Sequence, residues 1–374
     1  MKQVTGIVFF LSIAIIAQAQ APKEAPVSYI CIEAETGMVL LEEHADLPRP
    51  PASMLKMMQM LLVEEGVRAG TWRYDTPIPV SNLAQSMGGT QVFLVAGEEW
   101  PLENLMKAIA VLSANDASVA VAEGLWGSVA QCLEVMNLRA AALGMTNTRF
   151  YSVNGLPPDD GVSFDQSSAR DMAILGRALL AYPKLIEWTR LTELRFRESD
   201  EPRKSTNRLL ETMPGCDGLK TGYIRAAGFC LTATAQRNGI RLIAVVMGSD
   251  RDGRFTHTRE ILEAGFTMVQ RVQPIRAAMP VGRAIQITRG LAEEINLLAR
   301  DDIHVVVRNE DLDRLMLEVT APTSLEAPID AHNEVGRVRL LLDNRQLGET
   351  SLVTARAVER KTWKHRLREW VGLE

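Results

Sequence analysis

Apolar residues fall into three successive patterns along this chain of 374 positions. The first pattern, after residue 26, mixes both secondary-structure periods. Residues 27–33 and 38–41 flank Glu35-Thr36-Gly37, which predicts a strand, a glycine turn and a strand. A loop with three prolines, 46–51, follows. From 54 to 67, Leu55, Met58, Leu61 and Leu62 recur at helical spacing. Strand-like pieces are expected at 76–80 and 91–95, and helices over 102–110, 119–126, 129–143 and 171–181. Gly144 suits the end of the helix over 129–143. Residues 148–156 read as a strand entering a turn, and 195–210 as polar and irregular. Residues 228–235 and 241–248 read as strands joined by Gln236-Arg237-Asn238-Gly239, a type I′-like turn. A helix is expected over 254–271.

The second pattern begins at Gln273-Pro274. Short alternating strands at 284–288, 303–308, 314–319 and 335–342, punctuated by turns, predict a small all-β domain. The third is the tail. Residues 356–368 hold six Lys/Arg, and Trp363, Leu367, Trp370 and Val371 recur at helical spacing. This predicts an amphipathic helix suited to an anionic membrane surface; the competing reading packs it back on the protein. At the other end, Lys2, an apolar run over 7–16 and Ala17-Gln18-Ala19 predict a secretory signal peptide. Ten apolar residues are too few to span a bilayer, although an uncleaved anchor is the alternative. The expected organisation is a signal peptide over 1–21, a first domain over 22–273, a β-rich domain over 274–355 and an anchor over 356–374.

Composition is that of an ordinary globular protein, 47% hydrophobic and 23% charged. A net charge of −5 argues against a nucleic-acid partner. Cys31, Cys132, Cys216 and Cys230 are scattered without a CxxC pair, so pairing is not readable and buried free thiols are equally compatible. His44, His257, His304, His332 and His365 lie far apart, so no metal and no cofactor are expected.

Ser53-Met54-Leu55-Lys56 places a hydroxyl and an amine on one helix face. Serine needs a base to become a nucleophile, and a desolvated lysine can be one. At a helix start, the unpaired N–H groups also favour developing negative charge. Ser113-Ala114-Asn115-Asp116 reads either as a loop capping the next helix or as a second hydroxyl and amide at a cleft rim. Lys220-Thr221-Gly222 opens the run of strands, and Gly222, without a Cβ, would let a ligand lie against the strand.

In this order the three motifs resemble the set shared by penicillin-binding proteins and class A β-lactamases. The chain is further similar to the D-alanyl-D-alanine carboxypeptidases of the low-molecular-mass penicillin-binding proteins, peptidase family S11. The likeness includes Glu35-Thr36-Gly37, Pro51-Ala52-Ser53, Asn154-Gly155-Leu156, Ser168-Ala169-Arg170-Asp171 and Asp217-Gly218 before the lysine motif. A class A β-lactamase would lack the β domain and the tail.

The resemblance implies an α+β fold, a β-lactamase/DD-peptidase-like antiparallel sheet with flanking helices and an all-helical subregion, followed by a small all-β domain. It implies Ser53 as nucleophile, Lys56 as base and Ser113 as proton relay. Asn115 would hold the substrate amide, and Lys220, Thr221 and Gly222 would line the carboxylate site with Arg254 assisting. The N–H groups of Ser53 and Tyr223 would form the oxyanion hole. The implied partners are peptidoglycan stem peptides, β-lactams as covalent inhibitors and a membrane surface, at the outer face of the bacterial cytoplasmic membrane. Alternatives are a DD-endopeptidase or β-lactamase on this fold, or a weakly catalytic peptidoglycan-binding scaffold. Two positions depart from the family. Leu55 stands where Thr often precedes the lysine, and Ile224 where Thr often follows Lys-Thr-Gly, which would remove a hydroxyl near the substrate carboxylate.

Overall fold

An apolar strand with no exposed position has to lie inside a sheet. Ile240–Ser249 is such a strand, and in a computed structural model, which describes residues 26–157 and 160–365, it is the central one. The sheet runs Val39–Glu43, Ser28–Glu33, Ile240–Ser249, Gly228–Arg237, Cys216–Ile224, and every pair is antiparallel. The N-terminal hairpin thus packs against the last strand of the domain. Asn238 and Gly239, at φ 50° and 76°, supply the left-handed turn between the two long strands.

Each face of the sheet buries its own core. Helix Gly253–Met268 covers one face, where Phe255, Ile261 and Leu262 meet Cys31, Leu242 and Val246. It lies close: a Cβ on Gly265 would stand 2.9 Å from both Cys31 Sγ and Leu242 Cδ1. The other face carries Ala169–Leu179, whose first turn is capped by the Ser168 hydroxyl, and the helical subregion. At the centre of that subregion is Lys56–Arg68, buried on all sides over its first nine residues. Its polar members are paired: Gln59 exchanges hydrogen bonds with Ser118, and Glu64 accepts from the Tyr74 hydroxyl.

Several expected elements change character. Residues 91–95 form no strand; the N–H groups of Val92 and Leu94 donate to the buried Asp116 carboxylate instead. The piece at 76–80 shortens to Pro77–Pro79, paired with Glu99–Pro101. The helix from Leu102 ends at Lys107 and widens into a π-turn, Ala108–Leu112. The following helix starts at Asn115, because Ser113 turns the chain at φ 65°. Residues 148–156 make one bridge, Arg149 to Gln166, and are otherwise held by side chains such as Asp165, which accepts from Tyr151 N and Ser152 N. Pro183–Thr189 is a helix that the periodicity did not predict; its proline at the first position was the available signal.

The helix expected to reach residue 271 stops at Met268. Val269–Ile275 is a strand paired with Ile303–Arg308, so the chain passes Gln273-Pro274 inside a sheet rather than a linker. The C-terminal region is all β, with the sheet Leu297–Ala299, Arg345–Thr354, Glu334–Leu342, Leu315–Thr320 and smaller ladders. The expected tail helix does not begin at 356. Val358 is buried and bridges Ile329, Arg360 bridges Gly290, and the Lys361 N–H donates to Arg289 O. Helical geometry starts only at Trp363; residues 366–374 and the expected signal peptide lie outside the described residues. Among the described residues no helix is long and apolar enough to cross a membrane. All four cysteines are free, and burial pushes the Cys31 and Cys132 thiols up to about 12.

Leu262 is fully buried between the last helix and the sheet. Leu262→Ala is expected to destabilise the first domain by about 2–5 kcal/mol, measured as a shift of the denaturant midpoint.

Candidate active site

Ser53 lies in a single 3₁₀ turn, Ala52–Leu55, that runs straight into the helix beginning at Lys56. The turn is entered through Ala52 at φ 48°, a conformation an alanine adopts only under constraint. Two glycines supply the constraint. A Cβ on Gly155 would stand 2.4 Å from the Ala52 carbonyl carbon, and one on Gly222 would stand 2.6 Å from Pro51 O. The expectation that Gly222 makes room for a ligand is therefore corrected: the space beside it is taken by the serine turn itself.

Ser53 and Lys56 stand three residues apart on the continuing helical turn, and their side chains meet, with Nζ 2.9 Å from Oγ. The Nζ of the fully buried Lys56 also donates to Asn115 Oδ1 at 2.7 Å and to the Asn154 backbone carbonyl at 2.8 Å. Ser113 Oγ lies at 3.5 Å, brought there by its left-handed backbone at the end of the π-turn. Asn115 acts as a bracket: its Oδ1 faces the lysine while its Nδ2 donates to Gly88 O at 2.8 Å.

The surroundings favour a neutral amine. Burial is the largest influence holding Lys56 well below the usual lysine range; the Lys220 charge adds to it, and Asp116 and Asp165 work against it. Asn115 Oδ1, Asn154 O and Ser53 Oγ all accept from Nζ, and the Ser53 hydroxyl itself donates to Asn154 O at 3.2 Å. Once neutral, the amine keeps two N–H groups for the two carbonyl oxygens and has one lone pair to turn toward Ser53.

Lys220 is buried on the neighbouring strand, and its Nζ donates to Thr221 O at 3.1 Å. Burial, and after it the charge of Arg254, brings its pKa down to about 7. The Thr221 hydroxyl donates to the Thr206 hydroxyl at 2.8 Å. Serine, amide and lysine motifs thus converge on one cleft beside the edge strand Cys216–Ile224.

This geometry can be set against known proteins. The family described as D-alanyl-D-alanine carboxypeptidase, peptidase S11, matches residues 16–251. The chain belongs to that family. Residues 273–360 match the C-terminal domain of penicillin-binding protein 5. D-alanyl-D-alanine carboxypeptidase DacF of Bacillus subtilis (strain 168) is 34% identical over 328 residues, 86% of this chain and 83% of that protein. The crystal structure of penicillin-binding protein 6B from Escherichia coli superposes with a TM-score of 0.69 at 27% identity, covering 92% of this chain and 99% of that one. Penicillin-binding protein D2 of Listeria monocytogenes in its ampicillin-bound form gives a TM-score of 0.59 at 29% identity, over 66% of this chain and 100% of that one. The α+β fold and serine-peptidase class expected from the motifs are those of the family.

Two residues sit outside the hydrogen-bonded centre of this S11 site. Tyr223 is 52% exposed and stacks on Phe229 with ring centroids 4.1 Å apart. Arg254 is held between Phe229 and Phe255, at 5.1 and 4.6 Å from their centroids, and donates to Gly222 O at 3.4 Å. Ile224 is 8% exposed and packs in the cluster of Ala52 and Met54, on the strand face opposite Thr221. Leu55 is fully buried in that cluster too. Sequence reasoning missed the Asn154 carbonyl, the Thr206 hydroxyl and the ring pair around Arg254. Among the described residues no group of three His, Cys, Asp or Glu could hold a metal ion.

Gly155 and Gly144 both have φ 79°, but an added Cβ meets the serine turn at Gly155 and nothing within 4 Å at Gly144. Gly155→Ala is expected to slow labelling of Ser53 by a serine-directed fluorophosphonate about 10²-fold, as misplaced nucleophiles do, while Gly144→Ala leaves it unchanged.

Proposed function

We propose that this S11 enzyme removes the terminal D-alanine from peptidoglycan stem peptides through an acyl-enzyme on Ser53. The observation that carries this reading is the Lys56 amine, with two carbonyl acceptors for its N–H groups and its remaining site 2.9 Å from Ser53 Oγ. An extended peptide would lie between the free edge of strand Cys216–Ile224 and Asn115, whose second amide N–H is left for the substrate carbonyl. The terminal carboxylate would meet Lys220, the Thr221 hydroxyl and Arg254, which offer charged and neutral donors.

In the first step Lys56 takes the Ser53 proton as Oγ bonds to the carbonyl carbon of the penultimate D-alanine. The carbonyl oxygen becomes an oxyanion, received by the N–H groups of Ser53 and Tyr223. The C–N bond then breaks. A proton passes from Lys56 through Ser113 to the leaving nitrogen, so D-alanine departs as an amine and an ester remains on Ser53. Water attacks that ester, gives its proton back to Oγ and releases the shortened peptide. A β-lactam would open on Ser53 in the same way and stall, because its amine stays tethered in the site. The S11 match and the apolar N-terminal segment support an enzyme that works outside the cytoplasm, and the basic, Trp-bearing residues 363–374 support a peripheral membrane contact.

Release of D-alanine from a pentapeptide ending in D-Ala-D-Ala, lost in Ser53→Ala together with any mass-mapped penicillin adduct, tests the reaction; a labelled Ser53→Ala protein would refute the acyl-enzyme. The pH profile tests the lysines. Lys56 must be neutral, so kcat/KM falls on the acid side as it gains a proton. Lys220 must be charged to hold the carboxylate, so kcat/KM falls again above pH about 7 as it loses one. Lys220→Arg keeps the charge and is expected to move the alkaline limb upward. Removal of 363–374, which spares the Val358 strap, is expected to shift the protein from the membrane pellet to the supernatant; unchanged sedimentation would reject the membrane contact.

A further inference from the structure

Beside the Lys-Thr-Gly strand lies a cavity of about 550 Å³, whose lining reaches Thr221 and Gly222 through Thr206 and Arg254. Thr206 and Arg254, which touch those two residues, form its inner wall. Lys204, Arg208 and Arg251 stand around the rest, with Glu211 as the one acid in the lining. Lys204 is neutralised by Glu211 at 2.9 Å, and Arg208 by Asp252 at 3.1 Å. Arg254 and Arg251 form no ion pair among the described residues, and Arg254 Nε is buried without a hydrogen-bond partner. Burial lowers Arg254 most; the charges of Arg208 and Arg251 add to it, and Cys230 and Asp252 work against it.

An excess of like charges around one cavity is stabilised by an anion. One terminal carboxylate occupies Lys220, Thr221 and Arg254. Arg251 is left over, beyond them. Arg254 both donates to Gly222 O and lines the cavity, so for a departing residue whose carboxylate meets Arg254 the group that can extend toward Arg251 is its side chain. Resting on the proposed reading of the site, we infer that the cavity is a leaving-group subsite for D-residues whose side chain carries a carboxylate, with Arg251 as the cation that selects them.

Three peptides with one stem, ending in D-Ala-D-Ala, D-Ala-D-Glu and D-Ala-D-Lys, test this at low ionic strength through release of the last residue. In the wild type, kcat/KM for the D-Glu peptide is expected to exceed that for the D-Lys peptide by about tenfold, shrinking in salt as a partly exposed charge is screened. Arg251→Gln should bring the ratio near one, and Arg251→Glu should invert it; because each ratio is taken within one protein, partial loss of folding cancels. A wild-type ratio near one, or a ratio unmoved by Arg251→Glu, overturns the subsite while leaving D-alanine release intact. Absence of release from all three peptides overturns the proposed reaction and the subsite with it.

Discussion

Lys56 and Lys220 each take an amine out of water, and an isolated charge in that position is expensive enough to lose its proton or recruit acceptors. The two solve the problem differently. Lys56 has three oxygens within 2.9 Å, two of them obligate acceptors. Among the described residues Lys220 donates to the Thr221 carbonyl alone, at 3.1 Å. The first arrangement holds a neutral amine against a hydroxyl. The second leaves an amine that titrates at about 7 and gains most when an anion arrives. Environments that push two like groups apart suit them to different tasks, in the proposed reading a base at Lys56 and an anion anchor at Lys220.

That electrostatic division depends on backbone geometry that side chains alone would not adopt. Ala52 and Ser113 both have left-handed φ angles, of 48° and 65°, and each flanks or carries a reacting hydroxyl. Such residues cost about 1–3 kcal/mol each and persist only where neighbours over-determine them. At Ala52 the neighbours are Gly155 and Gly222, pressing from two sides. At Ser113 they are the π-turn before it and the helix from Asn115 after it, whose first N–H donates to Thr90 O. Asp116, one residue on, ties down the 92–94 backbone through buried N–H groups. The 88–94 loop, the amide motif and the serine turn therefore form one connected unit.

Much of this was legible in the chain, for identifiable reasons. The long apolar strands, the Asn238-Gly239 turn, the Ser168-capped helix and the β-rich C-terminal strands follow from periodicity and turn chemistry, which act locally. Ser53 and Lys56 were legible as a hydroxyl and an amine three residues apart at a helix start, and Asn115 only through the resemblance carried by the three motifs together. The Asn154 contribution was hidden because a backbone carbonyl leaves no mark on residue type. Thr206 lay in a stretch with no period at all. Residues 91–95 imitate a strand because alternate positions, Val92 and Leu94, are buried; the ladder that would make them one is replaced by a carboxylate. Of the expected tail helix, residues 356–361 are claimed instead by backbone bridges to the β domain, and among the described residues only 363–365 are helical.

Along the cleft, the cationic groups hold their protons more firmly with distance from Ser53. Lys56 lies well below the lysine range, Lys220 is at about 7 and Arg254 at about 10. Burial is the largest cause at all three; Lys220 repels a proton on Lys56, Arg254 repels one on Lys220, and the guanidinium starts from the highest basicity. The order also matches what an acyl transfer to a carboxylate-bearing amine needs at each point. The nucleophile needs a lone pair beside it, and a charged amine there would have none. The carboxylate, a few bonds further on, needs positive charge, and a neutral amine there would offer only weak donors. A peptide bound in the reverse direction would set its carboxylate against the base and raise that base's affinity for a proton. Where the protons reside therefore favours, in the proposed reading, a carboxylate at Lys220 over one at Lys56.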